Sequence, residues 1–279
     1  MSLFSKIFGS GKLESPTLEK QKSHIAFVLL ENAALPSGDA IMASFEKYSQ
    51  GNHKLSISKD TDSEASHDVE EHVLALTLDG IGSAFVALMD LPIPNGEAES
   101  NFPLSVSSFS ENSGLKLHHA HILVTLMPSA EADPIEAMMA YTSLLAAVTD
   151  ASQSVGVYWG NAGATHTREF FLAVASEHDI NPRILLWNGL SRAPESGGKM
   201  SFLSYGMNQI ALPDLYLICN ANAASSSFGR FFDLLAYIAA RGEAIPAGDT
   251  IGSTAEERIR IKYVKSPADK NKIVWKVEF

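Results

Sequence analysis

A single cysteine, Cys219, stands among 279 residues, so no disulfide can form within the chain. That scarcity points to a reducing compartment and a cytoplasmic protein. Cys219 closes the apolar run Leu215-Tyr216-Leu217-Ile218-Cys219, where a free thiol behaves as a small buried hydrophobe. No segment reaches the roughly 18 consecutive apolar residues of a membrane-spanning helix, so no integral span is expected. Cations are scarce too. Lys and Arg number 21 against 32 Asp and Glu, for a net charge of -11, and no basic stripe is present. Phosphate backbones are held by clustered cations, so nucleic acid is not the expected partner, and charge favours a basic protein instead.

Catalytic signatures are missing as well. The chain contains no Gly-x-Ser-x-Gly elbow, no HExxH helix and no Gly-rich phosphate loop of the Walker or dinucleotide type. Cys219 has no activating neighbour in sequence. No catalytic residue and no cofactor is assigned.

What is present is patterned. Apolar residues make up 46% of the chain and charged ones only 19%, a balance that leaves apolar surface for a partner. Residues 24–30 are continuously apolar and read as a buried strand. A helix follows over 39–48, then a short strand over 54–57. Two apolar runs, 72–78 and 83–89, flank a Gly-containing turn and read as a hairpin. Residues 91–114 are rich in Pro, Asn, Gly and Ser. A strand over 117–127 comes next, and Asp133 with Pro134 opens a long helix reaching about residue 151. Residues 155–159 form a strand, and Thr167 caps a helix to residue 178. Three strand-like runs cover 184–190, 200–207 and 215–219, with a loop at 191–199. A strong helix over 227–241 stops at Gly242. Residues 259–264 and 273–279 alternate like an antiparallel edge pair.

An internal alignment organises these elements. Setting His24 on His121 and reading forward without gaps matches seven identities over twenty positions. The expected fold is therefore α+β: two related α/β sandwich halves, each a β-α-β-β unit, with mixed, mostly antiparallel sheets and helices on one face. Residues 1–22 read as a flexible N-terminal segment, 23–95 as the first half, 96–115 as a connector and 116–279 as the second half. Leu3, Phe4, Ile7 and Phe8 fall at helical spacing, so the first 12 residues offer a short amphipathic helix as an alternative to a frayed end.

Several residues invite a chemical reading. Leu117-His118-His119-Ala120-His121 would place His119 and His121 on one face of a strand, with His118 turned away. Such a pair can ligate a transition metal, but nothing in the spacing selects a third ligand from His166, His178 or Asp249. A structural role is the better reading, and no metal site is assigned. Gly160-Asn161-Ala162-Gly163 reads as a βα turn, with a weak anion site as the alternative. Tyr158, Trp159 and Trp187 are interface-type aromatics at strand ends, and with Asp249 they are the candidate contacts for a partner or ligand. The acidic loop at 60–71 could dock a basic partner.

An ordered series in the second half resembles a known family. His119-Ala120-His121, Val157-Tyr158-Trp159 and Trp187 are followed by Ser204-Tyr205-Gly206-Met207 and Leu212-Pro213-Asp214-Leu215. Then come Leu235-Ala236-Tyr237-Ile238 and Gly248-Asp249-Thr250-Ile251-Gly252. In that order these residues resemble the domain-of-unknown-function family 4261 (DUF4261), most clearly over residues 117–279. The resemblance implies a bacterial cytosolic protein and carries no activity.

The expected function is a non-enzymatic protein-binding, immunity or accessory protein, by analogy with small α+β proteins that accompany secreted toxins. Two other readings stand beside it. One is a metal-dependent hydrolase centred on His119 and His121, and the other a small-ligand sensor with a cleft between the halves.

Overall fold

The computed structural model describes residues 13–58, 72–109, 114–252, 254 and 256–278. The candidate amphipathic helix at the N-terminus and the acidic loop at 60–71 lie outside the described residues. Strand β1 (His24–Leu30) leads into α1 (Gly38–Ser49), then β2 (Leu55–Ile57), β3 (Val73–Leu78) and β4 (Gly82–Met89). The connector follows, with the short helix α2 (Glu97–Ser100) and 3-10 turns at Phe102–Leu104 and Val106–Phe109. Next come β5 (Ala120–Pro128), α3 (Pro134–Ala151), β6 (Ser154–Trp159), β7 (Ala164–Thr167), α4 (Arg168–Ala175) and α5 (Ile180–Trp187). The chain finishes through β8 (Gly189–Glu195), β9 (Lys199–Tyr205), β10 (Leu215–Asn220), α6 (Ala224–Arg241), β11 (Thr250–Ile251), β12 (Ile259–Arg260), β13 (Lys262–Lys265) and β14 (Ile273–Glu278).

Helix ends obey their local signals. Ser37, Asp133 and Thr167 each accept a backbone N–H from the first turn of α1, α3 and α4. Gly242 ends α6 in the left-handed conformation, at φ 72°. Helix α3 is buried on almost every side, because α1, α4 and α5 surround it while its remaining face lies on β1, β5 and β6. Tyr141, wholly inside, donates its hydroxyl to Val124 O at 2.7 Å, so its polar tip is satisfied.

The α+β class holds. A seven-stranded antiparallel sheet has the order β2-β3-β4-β5-β1-β6-β7, so strands from both sides of the connector form one sheet. A five-stranded sheet has the order β13-β14-β10-β9-β8, with β14 and β10 parallel and its other neighbours antiparallel. Helices α1 and α3 cover one face of the first sheet, and α6 packs on the second through Phe231, Leu235 and Ile238. A single continuous core joins both sheets.

The duplication is not confirmed. Strands β1 and β5 do pair at the centre of the sheet, Phe27 opposite Leu123, and α1 lies against α3. Yet the strands open at His24 and Ala120, and the helices are capped by Ser37 and Asp133. The alignment of His24 on His121 is one residue out of step with both. A one-residue slip in a strand exchanges its faces. His24 accordingly faces the helices, its ring 5.8 Å from that of Tyr141, whereas His121 faces away and bonds Leu91 O. The order of strands also differs. After α1 the chain visits the edge first and returns inward to β4, while after α3 it enters at β6 beside β1 and moves outward.

Two local expectations change. Residues 184–190 form the end of a helix and the start of β8, not one strand. Four successive apolar residues cannot separate the two by period, and Pro182 sits in a first turn that tolerates it. The expected loop at 191–199 is the outer part of a β8–β9 hairpin, turned by Gly197 and Gly198, both at φ 70°.

Candidate functional site

Most of the aromatic contact candidates are core residues. Trp159 is wholly buried and donates Nε1–H to Gln209 Oε1 at 2.8 Å. Trp187 is buried with Nε1–H on Thr142 Oγ1 at 2.8 Å. Neither can meet a partner, because α3, α4 and the second sheet close over them. Asp249 is exposed in the turn before β11, where its backbone carbonyl receives Ile261 N–H. The Gly160–Gly163 segment turns the β6–β7 hairpin and precedes a strand, not a helix. Tyr158 alone borders a cleft.

That cleft, of about 370 Å³, opens where β1, the connector and the β5–β6 region meet. Its floor is an aromatic row set by strand register. Phe27 pairs directly with Tyr158 across β1 and β6, and the rings stack at 5.6 Å. His121, on β5, meets Phe27 edge-on at 5.6 Å. The rim is built by the connector. Tyr158 donates its hydroxyl to Glu97 Oε1 at 2.7 Å, anchoring the first residue of α2. Burial, and then the neighbouring carboxylate, push the Tyr158 phenol well above its usual range.

The histidines sort differently from the expectation. The strand begins only at Ala120, so the alternation does not extend back to residues 118 and 119. His119 is exposed, and His118 and His121 are the buried pair. His118 Nε2 accepts the Ile93 N–H at 2.8 Å, so its proton sits on Nδ1 and is donated to Glu99 Oε1 at 2.7 Å. Both ring nitrogens of His118 therefore serve to hold the connector. His121 donates Nδ1–H to Leu91 O at 2.8 Å, which leaves Nε2 as an acceptor. Burial lowers the pKa of His121 against the opposing effect of Leu91 O, so the ring is neutral at pH 7. Among the described residues, no three His, Cys, Asp or Glu side chains are placed to hold a metal ion.

A second histidine arrangement looks catalytic on paper. Ser105 Oγ lies 2.7 Å from His166 Nδ1, and His166 Nε2 lies 3.1 Å from Leu186 O. Ser105 and His166 are both fully buried beneath the connector, so the pair ties it to β7 and has no access for a substrate. Desolvation lowers the His166 pKa to about 4.

Beside the cleft, the described residues leave the same sheet face partly uncovered. Strand alternation turns Phe85, Ala87 and Met89 of β4 and Leu123, Thr125 and Met127 of β5 away from the helices. Phe85 is 38% exposed, Met89 37% and Met127 43%, and Leu91 beside them is 53% exposed. Cross-strand pairs join these side chains into one surface: Ala75–Phe85–Thr125, Val73–Ala87–Leu123 and Ser83–Met127. Among the described residues, the connector region covers the other half of this face, through Ile93 and Ala98 against Leu29, Val155 and Tyr158. Reading the sequence missed Glu97, Phe27 and the bare face. Its signal was the apolar series Ile93, Ala98, Phe102 and Leu104 inside a connector judged by its polar residues.

Residues 203–278 match the family model described as Domain of unknown function (DUF4261). The resemblance seen in the sequence is thus borne out over that segment, while His121, Tyr158 and Trp187 precede it. No curated protein and no solved structure matches the chain. Structure explains the motifs within the matched segment as supports of the second sheet. Asp214 Oδ1 accepts from Ser204 Oγ at 3.1 Å and from the N–H groups of Gly206 and Met207 at 3.0 and 3.1 Å. Ser204 Oγ in turn accepts Leu215 N–H at 2.9 Å. Gly206 adopts φ 134°, and a Cβ there would lie 2.2 Å from Trp187 O. In the segment from Gly248 to Gly252, a Cβ on Gly252 would lie 2.1 Å from Glu257 O, so that close approach requires glycine. Among the described residues no helix is long and apolar enough to cross a membrane.

Proposed function

We propose that the chain is a non-enzymatic binding protein that docks another protein on the bare half of the first sheet, with a basic side chain of that partner in the adjoining cleft. The observation that supports this most is the joined apolar surface of Phe85, Met89, Leu123 and Met127 beside a rim of hydrogen-bond acceptors. Contiguous exposed apolar patches mark docking sites more often than they occur by chance on monomers. The Glu97 carboxylate and the unprotonated His121 Nε2 favour a donor-bearing cation over an anion, and the net charge of -11 draws a basic partner from a distance. An immunity or accessory role in a bacterial cytoplasm is the setting that agrees with the family resemblance.

The test is affinity capture with the unaltered chain and with a Phe85→Glu/Met127→Glu variant, both checked for unchanged unfolding midpoints. One partner, retained by the unaltered chain, lost by the double variant and weakened about tenfold by Glu97→Gln, is the expected result. Equal capture by both chains overturns the reading. A second reading, a small-ligand sensor, is supported by the position of the cleft between the two sides of the connector. Saturable binding of a small cationic amine, unaffected by Phe85→Glu, would favour it.

A further inference from the structure

A second cavity, of about 210 Å³, lies on the helix side of the sheet, at the end where β1 begins and β5 gives way to α3. Its lining combines an apolar wall, including Pro128, Ala132 and Ala137, with Lys20, Lys22 and His24. His24 is 1% exposed, and its Nδ1 is buried without a hydrogen-bond partner. Buried polar atoms are nearly always paired, so an orphan bordering a cavity asks for an occupant. Gln209 cannot supply it. Its Oε1 accepts from Trp159, and its Nε2 donates to Trp187 O and Gly206 O.

Two lysines line the mouth, and one of them is held in place. Lys20 donates to Ala132 O at 3.1 Å, which uses one of three ammonium donors and fixes the group beside the opening. The N-terminus of α3 adds little, because the Asp133 carboxylate already takes the N–H groups of Ile135 and Glu136 and Pro134 has none. An anionic group therefore belongs at the lysines. At the other end the His24 ring requires a group able to donate or accept, which a hydroxyl does in either tautomer. Alanine and proline walls leave room for a short carbon skeleton between the two.

We infer that this cavity binds a small hydroxycarboxylate, its carboxylate at Lys20 and Lys22 and its hydroxyl on His24. Desolvation keeps His24 neutral, with a pKa lowered to about 4, so the ring pairs with a neutral hydroxyl and does not bind the carboxylate itself. The site is independent of the docking surface, which occupies the opposite face of the sheet.

Calorimetric titration of the full chain with lactate tests this, with propionate and inorganic phosphate as comparison probes. Ring-nitrogen NMR of histidine-labelled protein follows His24 in the same samples. The expected result is saturable lactate binding, at least tenfold tighter than that of either comparison probe, with a shift of the His24 resonances. Lys22→Gln, at an exposed position, should weaken lactate about tenfold without moving the unfolding midpoint, and His24→Phe should remove the preference over propionate. The Lys22 variant keeps the test decisive if the core substitution impairs folding. No saturable binding, equal affinity for propionate, tighter binding of phosphate, or an unchanged His24 signal overturns the inference and leaves a buried water as the partner of Nδ1.

Discussion

The two faces of the seven-stranded sheet are made by the same strands and treated in opposite ways. One is closed by α1 and α3, so that Ala26, Val28, Ile122 and Val124 lose all exposure. Among the described residues, the other is half covered by a connector pinned at a few polar points and half left apolar and partly exposed. The closed face shows how the fold is stabilised, since each large apolar side chain buried there contributes about 1.5–3 kcal/mol. The open face shows what stability did not require. Polar side chains would serve a solvated strand as well as Phe85 or Met127, so their presence is better explained by contact with something else.

Four experiments would break or sharpen this contrast. The largest effect belongs to the closed side, where Arg183 is 1% exposed and, among the described residues, is held by carbonyl and hydroxyl oxygens instead of a carboxylate. Its guanidinium donates to Met139 O, Tyr48 O, Ala175 O, Glu177 O and Ser143 Oγ, so one side chain joins α1, α3 and the end of α4. Several of these carbonyls lie at or near helix C-termini, where a cation is favoured. Arg183→Ala should lower unfolding free energy by about 3–5 kcal/mol, read by urea denaturation, because it strands several buried acceptors. A loss below about 1 kcal/mol would show that water reaches the junction.

Acidification comes next. His24 and His166 are held near pKa 4 by burial, below the 6.5 of an unfolded histidine. Their stabilising contribution is therefore complete above pH 6.5 and is lost as pH falls towards 4, with a size on the order of 3 kcal/mol for each ring. Urea midpoints measured between pH 7 and pH 4 should fall accordingly, and His166→Gln should flatten the slope. Third, Tyr158→Phe removes the hydroxyl that anchors Glu97 and should cost about 1 kcal/mol. Hydrogen exchange should then quicken at the connector amides and not in α3. Smallest of all, Phe85→Glu or Met127→Glu should change stability by no more than about 0.5 kcal/mol while removing the proposed partner binding. A loss comparable to that of Arg183→Ala would mean that the open face is closed within the chain.

Local signals in the sequence predicted much of this architecture. Asp133, Thr167 and Gly242 set helix ends where the caps are found, and the β3–β4 hairpin follows its turn. The errors have a shared cause. The apolar run before Gly189 is compatible with helix or strand, and only packing among α3, α4 and α6 selects helix. The gapless alignment of His24 on His121 rests on cheap Ala and Met identities and misses the one-residue phase that strand pairing imposes. Of the candidate site, Tyr158 and His121 were visible, but Glu97 and Phe27 reach them only through register and the folding back of the connector.

Most element types, the helix caps at Asp133, Thr167 and Gly242, and the family resemblance of the C-terminal segment were determined by the sequence itself, because each rests on neighbours close along the chain. Tertiary structure alone decided that Trp159 and Trp187 are interior, that His118 rather than His119 lies with His121, and that half of one sheet face stays open. Those outcomes depend on which distant segment covers which face. Burial is a property of the pair of surfaces brought together, and local periodicity specifies only one of them.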